Sequence, residues 1–500
     1  MRILNRPTFG LLLAALAPAA LAAQQPAPAA TGPTLTLEQA LASARANNPD
    51  LLSQQNDTRS SRAAVRAARA DFFPSASAST SFGYTAAGEQ RFASEVFGQR
   101  PVYYSSVWNL GLDYQLSGAK LMQPAIARAQ ERATVQRIVG YEANLVGQVV
   151  QQYLSGLQAE EQVAQAERER LRTVEHERLA RARLEVGAGT PLDLRRAEVQ
   201  RGQAEVTLVQ RRNDYQTELL RLQNLVGRVL PPDTRLTSRF ELFAPRWNAD
   251  SLVERALQNN PNLLAARASA RAARTNVRAA RSAYLPSLNF SVGMRGEVYS
   301  AGNIDPLVAD QLRNLENQFE GCKQQNVLLQ QVGLPTQDCS LVNPGSPAVQ
   351  SAVRQEVASN NPSFPFDYTR QPLQASVSFS LPIFDGLRRE RQIEEARVSA
   401  DDADLAVRST ELRMRTDISA AVLALQTTYR LAQLQEELVK TAAEELRLAQ
   451  ERFRFGLATS VEVTDAQTSL AQAEQARIDA IYNFQKSLAN LEALVGTPLR

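Results

Sequence analysis

The residue types that most often bind metals or activate nucleophiles are scarce in this chain. Its 500 residues include one histidine, His176, and two cysteines, Cys322 and Cys339. One histidine and two cysteines leave few possible metal centres or histidine-based catalytic sites. His176 stands between Glu175 and Glu177, and we expect its side chain to be solvated. We therefore predict no catalytic residue, no bound metal and no cofactor. An enzyme is disfavoured because no nucleophile and base converge.

The N-terminal residues are typical of a secretory signal peptide. Two early arginines precede the apolar segment Phe9–Ala17, and a cleavage site of small residues ends at Ala22. We predict a signal peptide over residues 1–22 and a flexible leader over 23–36. In an exported chain the two cysteines predict a disulfide, with two free thiols as the alternative.

Charge and hydropathy exclude two further classes of protein. The net charge is +3, from 55 basic and 52 acidic residues, which gives no reason to expect a nucleic-acid partner. The mean hydropathy is −0.30. After the signal peptide there is no run of the roughly 18 apolar residues that a transmembrane helix needs. Any crossing of a membrane would therefore use strands.

A long sequence repeat divides the chain into two similar halves. Asn47–Ser75 matches Asn259–Ser287 without a gap, sharing NNP, LL, VRAAR and PS at equivalent positions. The period is far longer than that of a solenoid repeat. We predict internal duplication of a whole structural unit, with a first repeat over 37–240 and a second over 241–500.

Each half contains two segments in which apolar and polar side chains alternate. The four predicted strands are 75–84, 108–116, 288–295 and 373–381. About 9–11 residues is the length that a tilted strand needs to cross a bilayer. Flanking aromatic residues suit the membrane interface, and the small polar residues of the opposite face suit a water-filled lumen. A soluble, half-buried sheet is the alternative.

Four strands cannot close a barrel by themselves, and an open sheet edge is not viable in lipid. Closure therefore predicts a homo-oligomer. Two chains would give eight strands and a filled interior, whereas three would give twelve strands and room for a lumen.

The strands alternate with long helical segments. Thr36 and Gln39 predict a capping box for a first helix, and Asn48-Pro49 predicts the start of a second. Residues 119–186 and 387–455 each predict a helix of roughly 100 Å. After a glycine-containing turn, return helices are predicted over 191–226 and 460–495. The apolar positions follow a heptad, which indicates coiled-coil hairpins.

Together these features resemble the TolC-like family of outer-membrane efflux proteins. The resemblance covers essentially the whole mature chain. It depends on the repeated NNP…Pro-Ser segments, on the run Ser380–Gly386 (SLPIFDG), and on two tip motifs at 183–197 and 452–466. Each motif is weak alone, but their order and repetition are specific.

The resemblance implies a mainly α fold with a small transmembrane β part. It implies a homotrimeric 12-stranded β-barrel, four strands per chain, continuous with a long α-helical coiled-coil barrel. Such a channel-tunnel lies in the outer membrane and extends into the periplasm. It docks a periplasmic adaptor (membrane fusion protein) and, through it, an inner-membrane pump of the RND, ABC or MFS type. It conducts substrates passively, in multidrug efflux or type I secretion. A pore-less periplasmic coiled-coil adaptor or scaffold is the alternative.

The resemblance also assigns two groups of site residues. The adaptor-docking tips would be Val186, Gly187, Ala188, Thr190, Gly456, Leu457 and Thr459. The periplasmic gate would contain Glu462 and Asp465, with Asp193 as an acid of the other tip. In a trimer the first two would form carboxylate rings that attract cations. An ordinary acidic first turn of a helix is the alternative.

The chain departs from this family pattern at the gate, where Phe453 and Ala458 replace the tyrosine and arginine of the family's closed gate. Separately from the family pattern, the connection 299–372 is long and contains both cysteines. A connection of that length is expected to be functional or partly disordered. It would face the exterior and narrow the mouth, serve as a target for phage or antibodies, or have no role.

Overall fold

A computed structural model describes residues 33–92 and 95–499. The predicted signal peptide and most of the predicted leader lie outside the described residues. The described chain is mainly helical. Its helices are α1 (Leu37–Asn47), α2 (Pro49–Ala70), α3 (Gly118–Glu185), α4 (Pro191–Val226), α5 (Ala249–Asn259), α6 (Pro261–Arg281), α7 (Asp305–Gln331), α8 (Pro347–Asn360), α9 (Arg388–Arg454) and α10 (Ser460–Val495).

Short and long strands alternate with these helices. They are β1 (Thr34–Leu35), β2 (Ser75–Thr85), β3 (Gly88–Phe92), β4 (Glu95–Arg100), β5 (Tyr103–Leu116), β6 (Arg235–Leu236), β7 (Ser287–Ala301), β8 (Thr369–Arg370) and β9 (Gln374–Ser380). Single 3₁₀ turns occur at Ser282–Tyr284 and Ser340–Val342.

The chain forms two compact units, each with segments from both halves of the sequence. Over the described residues, the first contains 33–54, Val139–Pro261 and 412–499. The second contains Gln55–Ile138 and Asn262–Glu411. The first unit is helical apart from the short parallel pair β1–β6, and the second contains the larger sheet.

The sheet of the second unit is antiparallel, with the order β2–β5–β7–β9, and β8 also pairs with β7. All four predicted strands are present, but their bounds differ. The second strand begins earlier, at Tyr103, and the third continues to Ala301, whereas the fourth is only Gln374–Ser380. Ladder pairing with neighbouring strands extends the second and third strands beyond the alternating core that the sequence reveals.

The register of this sheet segregates apolar from polar side chains. Leu110 lies opposite Ala78 on one side and Met294 on the other. Directly opposed residues of an antiparallel pair project to the same face. Gly111, one residue along, lies opposite Ser77 and Gly293. The sheet therefore has one apolar and one small, polar face.

The connections at one end of the sheet are ordered elements rather than open loops. The first contains the hairpin β3–β4. The second connection, 299–372, contains α7 and α8. The expectation that this connection is partly disordered therefore does not apply to these two helices. A disulfide joins Cys322 on α7 to Cys339, with their Cα atoms 6.0 Å apart.

In the first unit, the repeated NNP segment connects the start of one helix to the end of another. As predicted, Asn48 caps α2: its Oδ1 accepts from the Leu51 amide (3.0 Å). Its Nδ2 also donates to the Leu225 carbonyl at the end of α4 (3.0 Å). There the chain turns through Gly227 at φ 75°, and a Cβ on this glycine would lie 2.4 Å from the Asn47 carbonyl oxygen. Only glycine fits this close, left-handed position.

The second half repeats this junction. Asn260 Nδ2 donates to the Leu494 carbonyl (2.8 Å), and Gly496 has φ 79°. The predicted capping box of α1 is also present, because Thr36 Oγ1 accepts from the Gln39 amide and Gln39 Oε1 accepts from the Thr36 amide.

The long helices follow the predicted bounds within one residue. Between α9 and α10, the apolar heptad positions form a buried cluster that includes Leu446, Phe453, Val463 and Leu470. Over the described ranges, none of the helices has the length and apolar character needed to cross a bilayer.

Candidate functional site

The two turns that join the long helices are built in the same way. At the end of α3, the Gly187 amide donates to the Leu184 carbonyl (3.0 Å), and the Ala188 amide donates to the Arg183 carbonyl (2.8 Å). Gly187 has φ 74°. These bonds define a Schellman turn, in which glycine tolerates the left-handed backbone.

The end of α9 has the same pattern. The Gly456 amide donates to the Phe453 carbonyl (3.0 Å), the Leu457 amide donates to the Arg452 carbonyl (2.8 Å), and Gly456 has φ 74°. In addition, the Arg452 guanidinium donates to the Leu457 carbonyl (3.2 Å), as Arg183 does to the Ala188 carbonyl (3.0 Å). Each turn therefore has fixed geometry.

The predicted docking residues lie at the surface of these turns. Val186 is 78 % exposed and Leu457 is 69 % exposed. Gly187, Ala188, Thr190, Gly456 and Thr459 are also exposed. Each turn therefore presents an apolar side chain beside accessible backbone.

Two of the three predicted gate acids cap helices. Asp193 Oδ2 accepts from the Thr190 amide (3.2 Å) and from its hydroxyl (2.6 Å). Glu462 Oε1 accepts from the Thr459 amide (3.2 Å), and its Oε2 lies 3.4 Å from the Arg452 Nη1 atom. Both are the third-residue partners of capping boxes, which satisfy amides that begin α4 and α10. Part of their charge is therefore engaged locally.

Asp465 differs from these two acids. It lies on the exposed side of α10. Among the described residues it forms no hydrogen bond or ion pair. Its charge is thus available to the solvent and to ions.

An arginine connects the two long helices beside the turns. Arg183 on α3 donates from Nη1 to the carbonyl of Phe453 on α9. Its guanidinium carbon also lies 4.2 Å from the centroid of the Phe453 ring. A cation over an aromatic face is attractive, and more so when water is excluded. We call this pair the Arg183–Phe453 clasp.

The expectation that His176 is solvated is wrong. Its side chain is only 5 % exposed, because Phe453 packs against it with ring centroids 5.8 Å apart. Its Nε2 lies 3.5 Å from Ser460 Oγ, at the start of α10. Burial lowers the pKa of His176, and the nearby charge of Asp193 opposes this effect. Because glutamates flank His176 in the sequence, we expected its side chain to be solvated, but the imidazole points between helices.

A polar seam, formed by Arg172, Glu169, Gln165 and Glu474, joins α3 to α10 farther from the turns. Arg172 donates to both carboxylate oxygens of Glu474 (3.0 and 2.6 Å) and to Glu169 (2.9 Å). Burial raises the pKa of Glu169. Burial has the largest single effect on the pKa of Glu474 and raises it, but the hydrogen bonds of Arg172 and Gln165 and the charges of Arg172 and Arg168 together lower that pKa overall.

Sequence reasoning did not identify Arg183 or this seam. Arg183 and Arg452 occupy equivalent places in the two tip motifs, which was a usable signal. No feature of the sequence indicates the pairing of Arg172 with Glu474, because a sequence does not show which helices are neighbours. Across the residues that the structure describes, no cluster of His, Cys, Asp and Glu side chains could hold a metal ion.

Comparison with known proteins matches this architecture to one family. The family model of the outer membrane efflux protein matches residues 40–228, 252–314 and 347–497. The interval between the last two matches contains both cysteines.

Individual relatives agree with this match. The chain is 24 % identical over 477 residues to the probable efflux pump outer membrane protein TtgC of Pseudomonas putida, covering 92 % of this chain and 82 % of the relative. A membrane protein from Pseudomonas aeruginosa has a similar crystal structure, with a TM-score of 0.66, 22 % identity and coverage of 92 % and 93 %. The open state of the MtrE outer membrane channel of Neisseria gonorrhoeae gives a TM-score of 0.65, 18 % identity and coverage of 93 % and 89 %. At such identities the structural likeness concerns the fold.

Proposed function

Because the chain belongs to the outer membrane efflux protein family, we propose that it forms the channel-tunnel of a tripartite efflux pump or type I secretion system. It is an outer-membrane protein that takes part in efflux. In the proposed assembly it conducts substrates passively from an inner-membrane pump and a periplasmic adaptor to the exterior, and it catalyses no reaction. The family match does not favour the alternative of a pore-less adaptor.

The observation that carries the proposal is the two-faced sheet. Its apolar face is open: Phe82, Leu110, Val377 and Phe379 are 58 %, 51 %, 66 % and 68 % exposed. An exposed apolar face of this size is costly in water and favourable in lipid. The opposite face, with serines and glycines, suits a water-filled lumen. We propose four strands per chain and a 12-stranded barrel from three chains.

The helices support self-association. On α4, the exposed residues Leu192, Val199, Val206 and Leu220 recur at heptad spacing, each at least 57 % exposed. A heptad stripe of this kind is typical of a helix that packs against another helix. On α9, Leu431 and Leu438 are also exposed at this spacing. We propose that such stripes of neighbouring chains cover each other in a homotrimer, which forms the α-helical barrel.

The internally duplicated chain, with repeats over 37–240 and 241–500, suits this assembly. Two helical hairpins per chain would give six hairpins per trimer, arranged around one axis. Their turns would present the docking residues to the adaptor. Gly187 and Gly456 allow another backbone to approach, because they have no Cβ.

The proposed gate lies just above these turns. Three copies of Asp465, and three of Glu462, would form carboxylate rings around the axis. Rings of like charge attract cations and oppose their own ionisation. Because Glu462 is partly engaged by Thr459 and Arg452, we assign the larger effect on ions to Asp465.

Two measurements on detergent-purified protein test the proposal. Reconstitution in planar bilayers should give small, cation-selective conductance steps. The mass of the detergent-solubilised complex should correspond to three chains, and Val206→Asp should shift it towards monomer, whereas the matched control Val206→Ile should not. A folded trimer that never conducts, even in the Arg183→Ala variant that weakens the clasp, would contradict the channel.

A further inference from the structure

The first unit contains a polar cavity that is separate from the turns and the clasp. Its volume is about 440 Å³, and it lies between α3, α4 and α10. Glutamine, threonine and alanine predominate in its lining, which also includes Glu169, Asp479 and Arg211. The lining has no aromatic or large aliphatic side chain, and its apolar surface comes from alanines and from the methyl and methylene groups of the polar residues.

A buried glutamine points to a ligand in this cavity. Gln467 is 1 % exposed, and neither its Oε1 nor its Nε2 has a hydrogen-bond partner among the described residues. On the α4 side, the buried Oε1 of Gln200 is also without such a partner. Buried amides left unpaired cost free energy, so they are rare in proteins.

The pattern of these atoms defines the chemistry of the ligand. It must accept a hydrogen bond from Gln467 Nε2 and donate to Gln467 Oε1 and Gln200 Oε1. A metal cation accepts no hydrogen bond, and the cavity carboxylates already have partners. Asp479 Oδ1 accepts from Gln158 (2.7 Å) and Gln162 (2.9 Å), and Glu169 accepts from Arg172. A hydroxyl group accepts hydrogen bonds and donates one, so a water molecule, with two donor hydrogens, or a ligand with at least two hydroxyl groups can bond to all three atoms.

We propose that this cavity is a binding site for a hydroxylic ligand, which bridges Gln467 on α10 to Gln200 on α4. Two sources share this chemistry: a cluster of ordered water molecules, for which the volume is sufficient, or a small neutral polyol. In either case the ligand completes the packing of the three helices across a polar interface. The proposal depends on the cavity alone and is independent of the proposed channel.

A pair of matched variants tests this proposal by the direction of a stability change. Gln485 is also on α10 and also 1 % exposed, but its Nε2 donates to the Glu241 carbonyl (2.8 Å). Gln485→Met removes a satisfied amide and should lower the melting temperature. If a ligand satisfies Gln467, then Gln467→Met should lower it similarly, by a few degrees. An unchanged or higher melting temperature in Gln467→Met would overturn the proposal, because removal of an unsatisfied amide stabilises a protein.

A high-resolution map of the full chain, purified without added polyols, provides the second measurement. We expect density within hydrogen-bonding distance, about 2.7–3.2 Å, of the Gln467 amide and Gln200 Oε1. Separate peaks identify water. Continuous density that appears after soaking in glycerol, and is absent from Gln467→Met, identifies a polyol. A collapsed or featureless cavity, in a map that shows ordered water elsewhere, would refute the site.

Discussion

The guanidinium of Arg183 lies over the Phe453 ring, 4.2 Å from its centroid, and donates to the Phe453 carbonyl. This relationship ties the end of α3 to the end of α9. Phe453 occupies the place where the family resemblance led us to expect a tyrosine. A phenylalanine has no hydroxyl to donate, so the connection depends on an arginine from the opposite helix and on the face of the ring.

We expect Arg183→Ala to loosen this connection. Cation–π contacts and charged hydrogen bonds together are worth about 1–3 kcal/mol. The variant should therefore have a lower melting temperature and, in the proposed channel, larger conductance steps. Arg178→Ala is the control, because Arg178 is also on α3 but pairs with Glu175 of its own helix. Equal conductance in both variants would exclude a specific role of the clasp.

The gate acids should differ in their effects on ion selectivity. Asp465→Asn removes an exposed charge that has no partner among the described residues, and it should markedly reduce cation preference, measured as the reversal potential in a salt gradient. Glu462→Gln retains a side chain that can cap α10, and should have a smaller effect because Arg452 already offsets that charge. A larger loss of cation preference in Glu462→Gln than in Asp465→Asn, or no loss in either variant, would exclude the proposed carboxylate rings.

Stability should decrease in mild acid because of His176. Burial lowers its pKa below the ordinary value of 6.5. As the pH falls, the imidazole is therefore protonated in the unfolded chain before it is protonated in the folded chain. The contribution of His176 to the free energy of unfolding is therefore complete above about pH 6.5, and it is lost as the pH falls through the lowered pKa of the folded protein. The charged groups around the ring are Arg172, Glu175 and Arg178 on α3, Asp193 on α4, and Arg447, Glu451 and Arg454 on α9.

The melting temperature, followed from about pH 7.5 to 5.5, provides the measurement. His176→Gln should show a weaker pH dependence than the wild type. Ser460→Ala keeps the imidazole and should retain the dependence. An identical slope in all three proteins would show that other groups titrate in this range.

The disulfide should stabilise the end of α7 locally. Cys322 and Cys339 are 17 residues apart, and a closed loop of that size contributes about 3 kcal/mol in the chain-entropy model. The double substitution Cys322→Ser/Cys339→Ser should speed amide hydrogen exchange between these positions, while exchange in α10 stays unchanged. Asn326→Ala is a milder companion, because the Asn326 amide group bonds to both the amide and the carbonyl of Gln337. Unchanged hydrogen exchange in both variants would show that α7 holds the segment between Cys322 and Cys339 without the disulfide or the Asn326 hydrogen bonds.

The helix and strand assignments were largely predictable because their signals are local. In this chain a threonine with an acid or amide three residues later caps α1, α4 and α10, and Gly187 and Gly456 end α3 and α9. Alternation with a period of two revealed the strands, although cross-strand pairing set their true ends. The repeated NNP segment was visible in the sequence, but its bond to the end of the return helix was not.

By itself, the sequence determined which residues share a face of each helix or strand, since side-chain direction follows backbone periodicity. It also contained a match between its two halves, from which we predict that one structural plan occurs twice. The tertiary structure alone decided which faces meet. It buried His176 despite its charged neighbours, and brought Arg172 to Glu474 across 302 positions of sequence. Such contacts depend on the packing of distant segments, and local periodicity contains no information about which helix becomes the neighbour.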